Sequence, residues 1–394
     1  ETSMHNLVLD SIAKIRHLIP SEDPLTIVPY LVTDCFKDAC AEHALSWKIF
    51  GDDLVGGIHK GLMHGRPNPD IEPSKYFIEG VRKARGYSCR DRAEVELAFT
   101  LLHTNGVEKM IFKPTFGQGG YGVNVVMCKE DVDSLPIEEI FLSILGEDGS
   151  KGEEYGYTEE SRLFLVEEFI DVVKDLPSPA VITLTGEYIN ILDQVLAADC
   201  PFVHSGNSVP TMLEPVLKER CLDSTRRLTK AWHHLHGFWG VDYVIERDTM
   251  EPILVDLNMC RPNGSHAPSI LESTLPANPK RVWKAVKIFC PSEPAEKVCE
   301  AIVAADLMYG QRADPTLDEG MLMLAYVGGF KGRAFFCAES RERVDELHKQ
   351  WLAVYAQIQP QGCHKRYLPQ TGEKIAAAGD DQLPMAAVCI TASA

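Results

Sequence analysis

The chain has 394 residues and a formal net charge of −18 at pH 7. This negative net charge argues against sequence-independent binding to nucleic acid and against binding to an anionic membrane. No apolar run approaches the roughly 20 residues that a membrane-spanning helix needs. The length allows two or three domains, and a composition of 45% hydrophobic and 24% charged residues is ordinary for a globular protein.

Twelve cysteines are scattered along the chain without a CxxC pair. A chain of this size does not need disulfides to hold its core together. We therefore expect reduced, mostly buried thiols in a cytoplasmic compartment, and no zinc site.

The N-terminal part alternates helix-like and strand-like segments. Residues 7–18 have helical spacing, residues 26–32 form a short apolar run typical of a strand, and a helix follows from Thr33. We interpret residues 1–73 as a small αβ domain. No glycine-rich phosphate fingerprint follows its strand, so a nucleotide site is not expected there.

Two predicted helices and a strand come next. Ser74-Lys75 opens a predicted helix that continues to about Ala84, and residues 92–103 carry apolar side chains at helical spacing. Residues 110–113 predict a strand that leads directly into a glycine-rich loop.

The segment 113–126 reads KPTFGQGGYGVNVV, so a strand, a glycine-rich loop and a second strand follow one another. A dinucleotide-binding loop would open a helix instead, and a P-loop would end in GK[ST]. The order favours a lid whose backbone N–H groups cover nucleotide phosphates, with Lys113 placed to neutralise their charge. A tight hairpin bend is the alternative. The loop glycines are Gly117, Gly119, Gly120 and Gly122.

The middle of the chain contains more strands and one long helix. Residues 133–156 are acidic and predict an exposed insertion, and residues 163–170 (LFLVEEFI) form an apolar strand that ends in two acids. Strand-like segments follow at 180–184 and 188–194, and residues 210–237 are mostly helical.

The stretch 239–264 is the most informative part of the chain. Its apolar runs 241–245 and 253–257 flank a polar turn, which predicts a β-hairpin. Pairing of Glu246 with Pro252 across the turn would place Asp242 directly opposite Asp256.

Three oxygen-bearing side chains then share one face of this hairpin, because Asn258 points to the same side as Asp256. Two adjacent carboxylates are costly unless a cation pairs with them, and such ligands suit Mg²⁺. Arg261 follows close enough to add a fixed positive charge. The alternative is a solvated hairpin face on which the acids stand by chance.

The C-terminal part predicts a compact αβ piece. Residues 295–308 are helical, residues 321–327 and 332–337 form a hairpin, and residues 339–358 form a helix. The last residues, 360–394, show little regular pattern and predict a loosely ordered tail.

The lysine, the glycine-rich lid, the acidic strand end and the pattern D…D-x-N-x-x-R occur in an order that resembles the ATP-grasp superfamily of ligases. The resemblance covers roughly Ser74–Gly264 and implies an α/β (α+β) ATP-grasp fold. Its implied domains are an N-terminal αβ domain (1–73), an ATP-grasp domain (74–290), a C-terminal αβ subdomain (291–359) and a tail (360–394). Within the second, the lid would cover about 110–165 and the catalytic part about 166–290.

The resemblance also assigns roles to residues. Lys75 and Lys113 look like the two phosphate-contacting lysines, and the loop glycines look like the mobile lid. Residues 166–170 look like the adenine hinge, where backbone groups and Glu167 or Glu168, with Phe169 and Ile170, read base and ribose. Asp242, Asp256 and Asn258 match the magnesium ligands, where Mn²⁺ could substitute, although position 256 is more often Glu in the family. Arg261 looks like the residue that holds the transferred phosphate or the carboxylate.

The resemblance implies an ATP-dependent carboxylate–amine ligase with small-molecule substrates and an acyl-phosphate intermediate. The sequence SPAV at 178–181, together with Asp193-Gln194, is reminiscent of members that join amino acids in natural-product pathways. A kinase acting on a hydroxyl and a nucleotide-binding regulatory protein are the alternatives, and a homodimer is left open.

Overall fold

The computed structural model describes residues 26–27, 48–49, 63–67, 78–115, 123–138, 163–173, 176–184, 188–197, 200–231, 238–258, 278, 280–289, 293–325 and 331–358. The strands are β1 (Thr26–Ile27), β2 (Lys48–Ile49), β3 (Gly86–Cys89), β4 (Met110–Pro114), β5 (Asn124–Val126), β6 (Phe164–Glu168), β7 (Pro179–Leu184), β8 (Tyr188–Ala197), β9 (Cys200–Val209), β10 (Phe238–Ile245), β11 (Pro252–Asn258), β12 (Val282–Phe289), β13 (Gly320–Ala325) and β14 (Lys331–Ala338). The helices are α1 (Arg92–Thr104), α2 (Lys129–Asp133), α3 (Pro215–Ala231), α4 (Ala295–Ala304) and α5 (Arg341–Ile358).

The chain divides into two compact units. The first comprises Glu1–Asn190, Leu213–Pro262 and Ala377–Ala394, and the second comprises Ile191–Met212 and Asn263–Ala376. The domain boundaries that we predict, after residues 73, 290 and 359, fall outside the described residues and stay predictions.

One antiparallel sheet of the first unit has the strand order β3-β6-β4-β5. Alternate side chains of β4, Met110 and Phe112, are fully buried, and the Phe112 ring stacks on Phe164 at 4.9 Å between centroids. Helix α1 packs on this sheet through a buried stripe. It begins after Asp91, whose carboxylate accepts the backbone N–H of Glu94 at 2.9 Å and so caps the first turn.

The first unit also contains the antiparallel strands β11, β10 and β7 in that order. Helix α3 has Pro215 at its first position, where the missing N–H costs nothing. It buries Leu217, Cys221 and Leu228. The hydroxyls of Thr225 on α3 and Tyr243 on β10 share a 2.9 Å hydrogen bond, which satisfies two buried polar groups.

The second unit contains β8 from Ile191 onwards and strands β9, β12, β14 and β13, in that order. Helices α4 and α5 pack on this sheet around the fully buried Trp351. The pairing of β13 with β14 and helix α5 confirm the predicted hairpin and final helix of this part of the chain. Helix α4 ends at Ala304 instead of 308, because Asp306 adopts a positive φ of 54°.

The predicted mixed α/β class is confirmed, but two local expectations are wrong and two strands were not predicted. Residues 81–84 are extended instead of helical, since Gly80 has a φ of 81° and Ala84 donates its N–H to the Leu254 carbonyl at 3.4 Å. Ile137 is fully buried, so residues 133–138 do not belong to an exposed insertion. Strands β9 and β12 carried too little periodic signal for us to predict them. Within the described ranges, no helix is both long and apolar enough to cross a membrane.

Candidate active site

The hairpin of β10 and β11 brings two aspartates together. Asp242 lies directly opposite Asp256 in the antiparallel register, as predicted, but the turn differs by one residue. Ile245, not Glu246, pairs with Pro252, and a β-bulge next to Asp242 restores the expected pairing. The extra residue at Val255 therefore sets which side chains of β11 face Asp242.

The third predicted metal ligand belongs to the same cluster. Asn258 donates a 3.2 Å hydrogen bond from Nδ2 to Oδ2 of Asp242, which leaves its amide oxygen to serve as a ligand. All three side chains are half-buried on a hairpin whose other face is apolar. Among the described residues there is no group of three or more His, Cys, Asp or Glu that could hold a metal. Two carboxylates and an amide nevertheless fit Mg²⁺, which binds through few protein oxygens and keeps waters and phosphate oxygens.

Lys113 connects this hairpin to the neighbouring sheet within the first unit. Its Nζ donates a 2.9 Å hydrogen bond to the carbonyl oxygen of Val255, the residue before Asp256. Its second partner is Oε2 of Glu167, with which it forms an ion pair. A lysine beside the strand that carries the proposed metal ligands is suited to meet phosphate charge there.

Glu167 is fully buried and its two oxygens have different partners. Oε2 faces Lys113, and Oε1 lies 2.6 Å from Nε2 of His64. Burial alone would raise the pKa of Glu167, but the Lys113 ammonium and the His64 hydrogen bond lower it to about 2. Burial lowers the pKa of His64 against the effect of Glu167, so His64 is neutral and donates from Nε2.

Lys83 adds a second cation near this carboxylate. Burial lowers its pKa, and the charge of Glu167 acts in the opposite direction. Its Nζ hydrogen-bonds to the Met63 carbonyl. We did not predict a role for His64 or Lys83 from the sequence, because nothing in their local pattern indicates a contact with a strand about a hundred residues away.

The predicted adenine hinge lies at the end of β6. Both carboxylate oxygens of Glu168 accept hydrogen bonds from Arg85, at 2.8 Å from its backbone N and at 2.6 Å from Nε. The N–H of Phe169 donates to the Lys109 carbonyl at 2.9 Å, and the Lys109 ammonium lies 3.8 Å from the Phe169 ring centroid. Both acidic side chains of the hinge thus have protein partners, and Phe169 and Ile170 follow the end of β6.

Asp193, which the likeness to amino-acid-joining enzymes singled out, lies in the second unit. It is 2% exposed and accepts hydrogen bonds from the Thr211 hydroxyl at 2.5 Å and the Met212 N–H at 2.8 Å. Arg341 at the start of α5 pairs with it at 2.9 Å and also bonds the Ser208 hydroxyl. This network ties β8 and β9 to α5.

Several predicted site residues lie outside the described residues: Lys75, Gly117, Gly119, Gly120, Gly122 and Arg261. The structure therefore brings together Lys113, Asp242, Asp256 and Asn258, and the roles that we predict for the others stay predictions.

Residues 93–265 match the family of ATP-grasp domains. A search of curated proteins finds no match. The chain is similar in structure to the biotin carboxylase of Campylobacter jejuni, with 12% identity, a TM-score of 0.53 and coverage of 88% of this chain and 78% of that one. It is also similar to the biotin carboxylase domain of the 2-oxoglutarate carboxylase of Hydrogenobacter thermophilus, with 11% identity, a TM-score of 0.50 and coverage of 81% and 70%. At such identities the likeness concerns the fold alone.

Proposed function

We propose, from the match of residues 93–265 to the family of ATP-grasp domains, that this chain is a ligase that joins a carboxylate to an amine and depends on ATP and Mg²⁺. The observation that carries the proposal is the position of Lys113 beside the strand of Asp256. A phosphate-binding cation and a pair of opposed carboxylates next to each other are what phosphoryl transfer from a metal nucleotide requires.

Each candidate site residue that the structure describes has a role in the proposal. Lys113 neutralises phosphate charge, while the oxygens of Asp242, Asp256 and Asn258 would hold Mg²⁺, which would screen the phosphates of the nucleotide. The backbone around Ile170 would read the adenine edge, because the Glu168 carboxylate and the Phe169 N–H already form hydrogen bonds within the protein. Lys75, the loop glycines and Arg261 keep the roles that the family resemblance implies.

The chemistry needs no side-chain nucleophile. A carboxylate oxygen of the substrate attacks the γ-phosphorus of ATP, which forms an acyl phosphate and releases ADP. The amine then attacks the acyl carbon, phosphate leaves, and loss of a proton from nitrogen gives the amide. A closed lid over the site would exclude water, which would otherwise hydrolyse the acyl phosphate. The net charge of −18 and the likeness at 178–181 favour small substrates such as amino acids.

The test is a product assay with pooled amino acids and other carboxylates, each with and without pooled amines. We expect ADP and phosphate to form only when a carboxylate, an amine and Mg²⁺ are all present, so that pooled amino acids, which carry both groups, can suffice without added amines. Release of AMP and pyrophosphate would indicate adenylation and contradict the proposal. ADP formed together with a phosphorylated alcohol would favour the kinase alternative.

A further inference from the structure

His64 lies on a short segment that is hydrogen-bonded to β3 and to the start of α1. Ser88 donates its backbone N–H to the Gly65 carbonyl at 3.0 Å and its hydroxyl to the His64 carbonyl at 3.2 Å. Arg66 pairs with Glu94 near the start of α1, with a 2.8 Å hydrogen bond from Nε. The backbone at His64 is thereby held against β3, so its buried ring has a defined direction.

The ring points at the carboxylate that holds Lys113. Nε2 of His64 lies 2.6 Å from Oε1 of Glu167, whose other oxygen meets Lys113. Lys113 in turn contacts the carbonyl of Val255 at 2.9 Å. One chain of contacts thus runs from His64 through Glu167 and Lys113 to the strand that carries Asp256.

We infer that His64 is a positioning residue that fixes Glu167 and, through it, orients the ammonium group of Lys113 for the nucleotide phosphates. The ligand side of this inference rests on the proposed function. A carboxylate held at one oxygen can rotate about its side-chain bonds, whereas a carboxylate held at both oxygens cannot.

A neutral donor suits this position better than a cation. Glu167 is fully buried and has two lysines near it, Lys113 in contact and Lys83 close enough for the Glu167 charge to raise the Lys83 pKa. A third positive charge would compete with Lys113 for the carboxylate and would itself be costly to bury. A histidine that donates one hydrogen bond orients Glu167 and leaves its negative charge to Lys113.

Two polar substitutions of His64, H64Q and H64N, form a matched pair for testing this role. The amide nitrogen of glutamine lies about as far along the side chain as Nε2 of histidine, so H64Q can donate to Glu167. The amide of asparagine is shorter by one methylene, so H64N is polar but cannot reach. If His64 acts through Glu167, H64Q should match the wild type in the reactivity of Lys113 and in ATP affinity, and H64N should not. The comparison uses variants that melt within a few degrees of each other.

The first measurement needs no ligand. The rate at which an amine-acylating reagent modifies Lys113 is followed by mass spectrometry, with the exposed Lys129 as an internal reference. We expect modification of Lys113 to be several-fold faster in H64N than in the wild type and near the wild-type rate in H64Q, with Lys129 unchanged. Equal Lys113 rates in all three proteins would overturn the inference.

The second measurement is a double-mutant cycle on ATP affinity by calorimetry. We expect H64N to weaken ATP binding about 5- to 10-fold in the wild-type background and to have no further effect in a K113M background. The same loss in both backgrounds would mean that His64 does not act through Lys113. A wild-type protein that does not bind ATP would contradict the proposed function alone, because the modification rates would still decide the role of His64.

Discussion

Nζ of Lys113 donates a 2.9 Å hydrogen bond to the carbonyl of Val255, so the lysine of β4 touches the residue that precedes Asp256 on β11. The two strands belong to different sheets of the first unit. Each strand could be predicted from the sequence, but the two contacting residues are 142 positions apart, so their contact follows only from the fold. This contact brings the lysine and the proposed metal ligands into one candidate site.

Replacement of Lys113 by methionine should weaken ATP binding by about 1.5–3 kcal/mol, because a buried phosphate charge loses its partner. It should also lower the free energy of unfolding, since Glu167 remains buried with only one of its partners. Calorimetry with ATP measures the first effect and denaturant unfolding the second. K129M removes an exposed lysine and is the control. Unchanged ATP affinity in folded K113M would remove Lys113 from the site.

Replacement of Asp256 or Asn258 by alanine should abolish Mg²⁺-dependent turnover and leave the fold intact. The melting temperature without ligand should stay equal or rise, because the two opposed carboxylates are relieved of each other in D256A. The exposed Asp248, at the turn of the same hairpin, provides the control D248A. Wild-type turnover of either site variant at limiting Mg²⁺ would be incompatible with the metal assignment.

Replacement of Gly86 by alanine should destabilise the first unit by about 1–3 kcal/mol. A Cβ at this position would lie 2.6 Å from the Val166 carbonyl and 2.7 Å from Cγ of Glu167, so β3 and β6 would have to separate. Denaturant unfolding measures the loss. Gly106 has a φ of 81° with nothing within 4 Å of its Cβ position, so G106N adds backbone strain, which asparagine tolerates better than most residues, but no steric clash, and it should cost less than G86A. Equal effects of both variants would argue against the close approach at Gly86.

Stability should fall as the pH is lowered from 6.5 towards 4, in part through His348. Burial lowers the pKa of His348 to about 4, and the nearby Lys284 adds to the effect while Asp345 opposes it. The unfolded chain, in which this histidine keeps its ordinary pKa of 6.5, then binds more protons than the folded chain in this window. The melting temperature of H348Q should therefore fall less than that of the wild type between pH 7 and pH 4.5. H103Q, at an exposed histidine, should follow the wild type, and identical slopes for H348Q and the wild type would refute this assignment.

The sequence predicted the elements whose residues carry their own periodic signal, including the β10–β11 hairpin and helices α1 and α5. It could not reveal the bulge at Val255, because a bulge changes the register without changing the composition. Strand β9 lacks alternation, since Asn207 and Ser208 are buried polar residues; Ser208 accepts a hydrogen bond from Arg341 on α5. Lys287 interrupts β12, and its ammonium binds the His204 carbonyl across the sheet. In the sequence, polar residues of this kind indicate a loop, and only the structure shows the distant partners that place them in a strand.

The same reasoning explains the site. Lys113, Asp242, Asp256 and Asn258 could be singled out as candidates because charged or polar groups within apolar strands are rare unless they bind something. His64 could not, because its partner Glu167 is 103 residues away and its own neighbourhood is rich in glycine and proline.

Trapping of the intermediate with hydroxylamine tests the central claim most directly. The protein is incubated with ATP, Mg²⁺, hydroxylamine and pooled carboxylates, without any other amine, because hydroxylamine is a small nucleophile that intercepts acyl phosphates. D256A, which lacks a proposed metal ligand, serves as the blank. We predict a hydroxamate and ADP in equal amounts from the wild type and neither from D256A. AMP with pyrophosphate, or a stable phosphate ester without hydroxamate, would contradict a ligase that acts through an acyl phosphate.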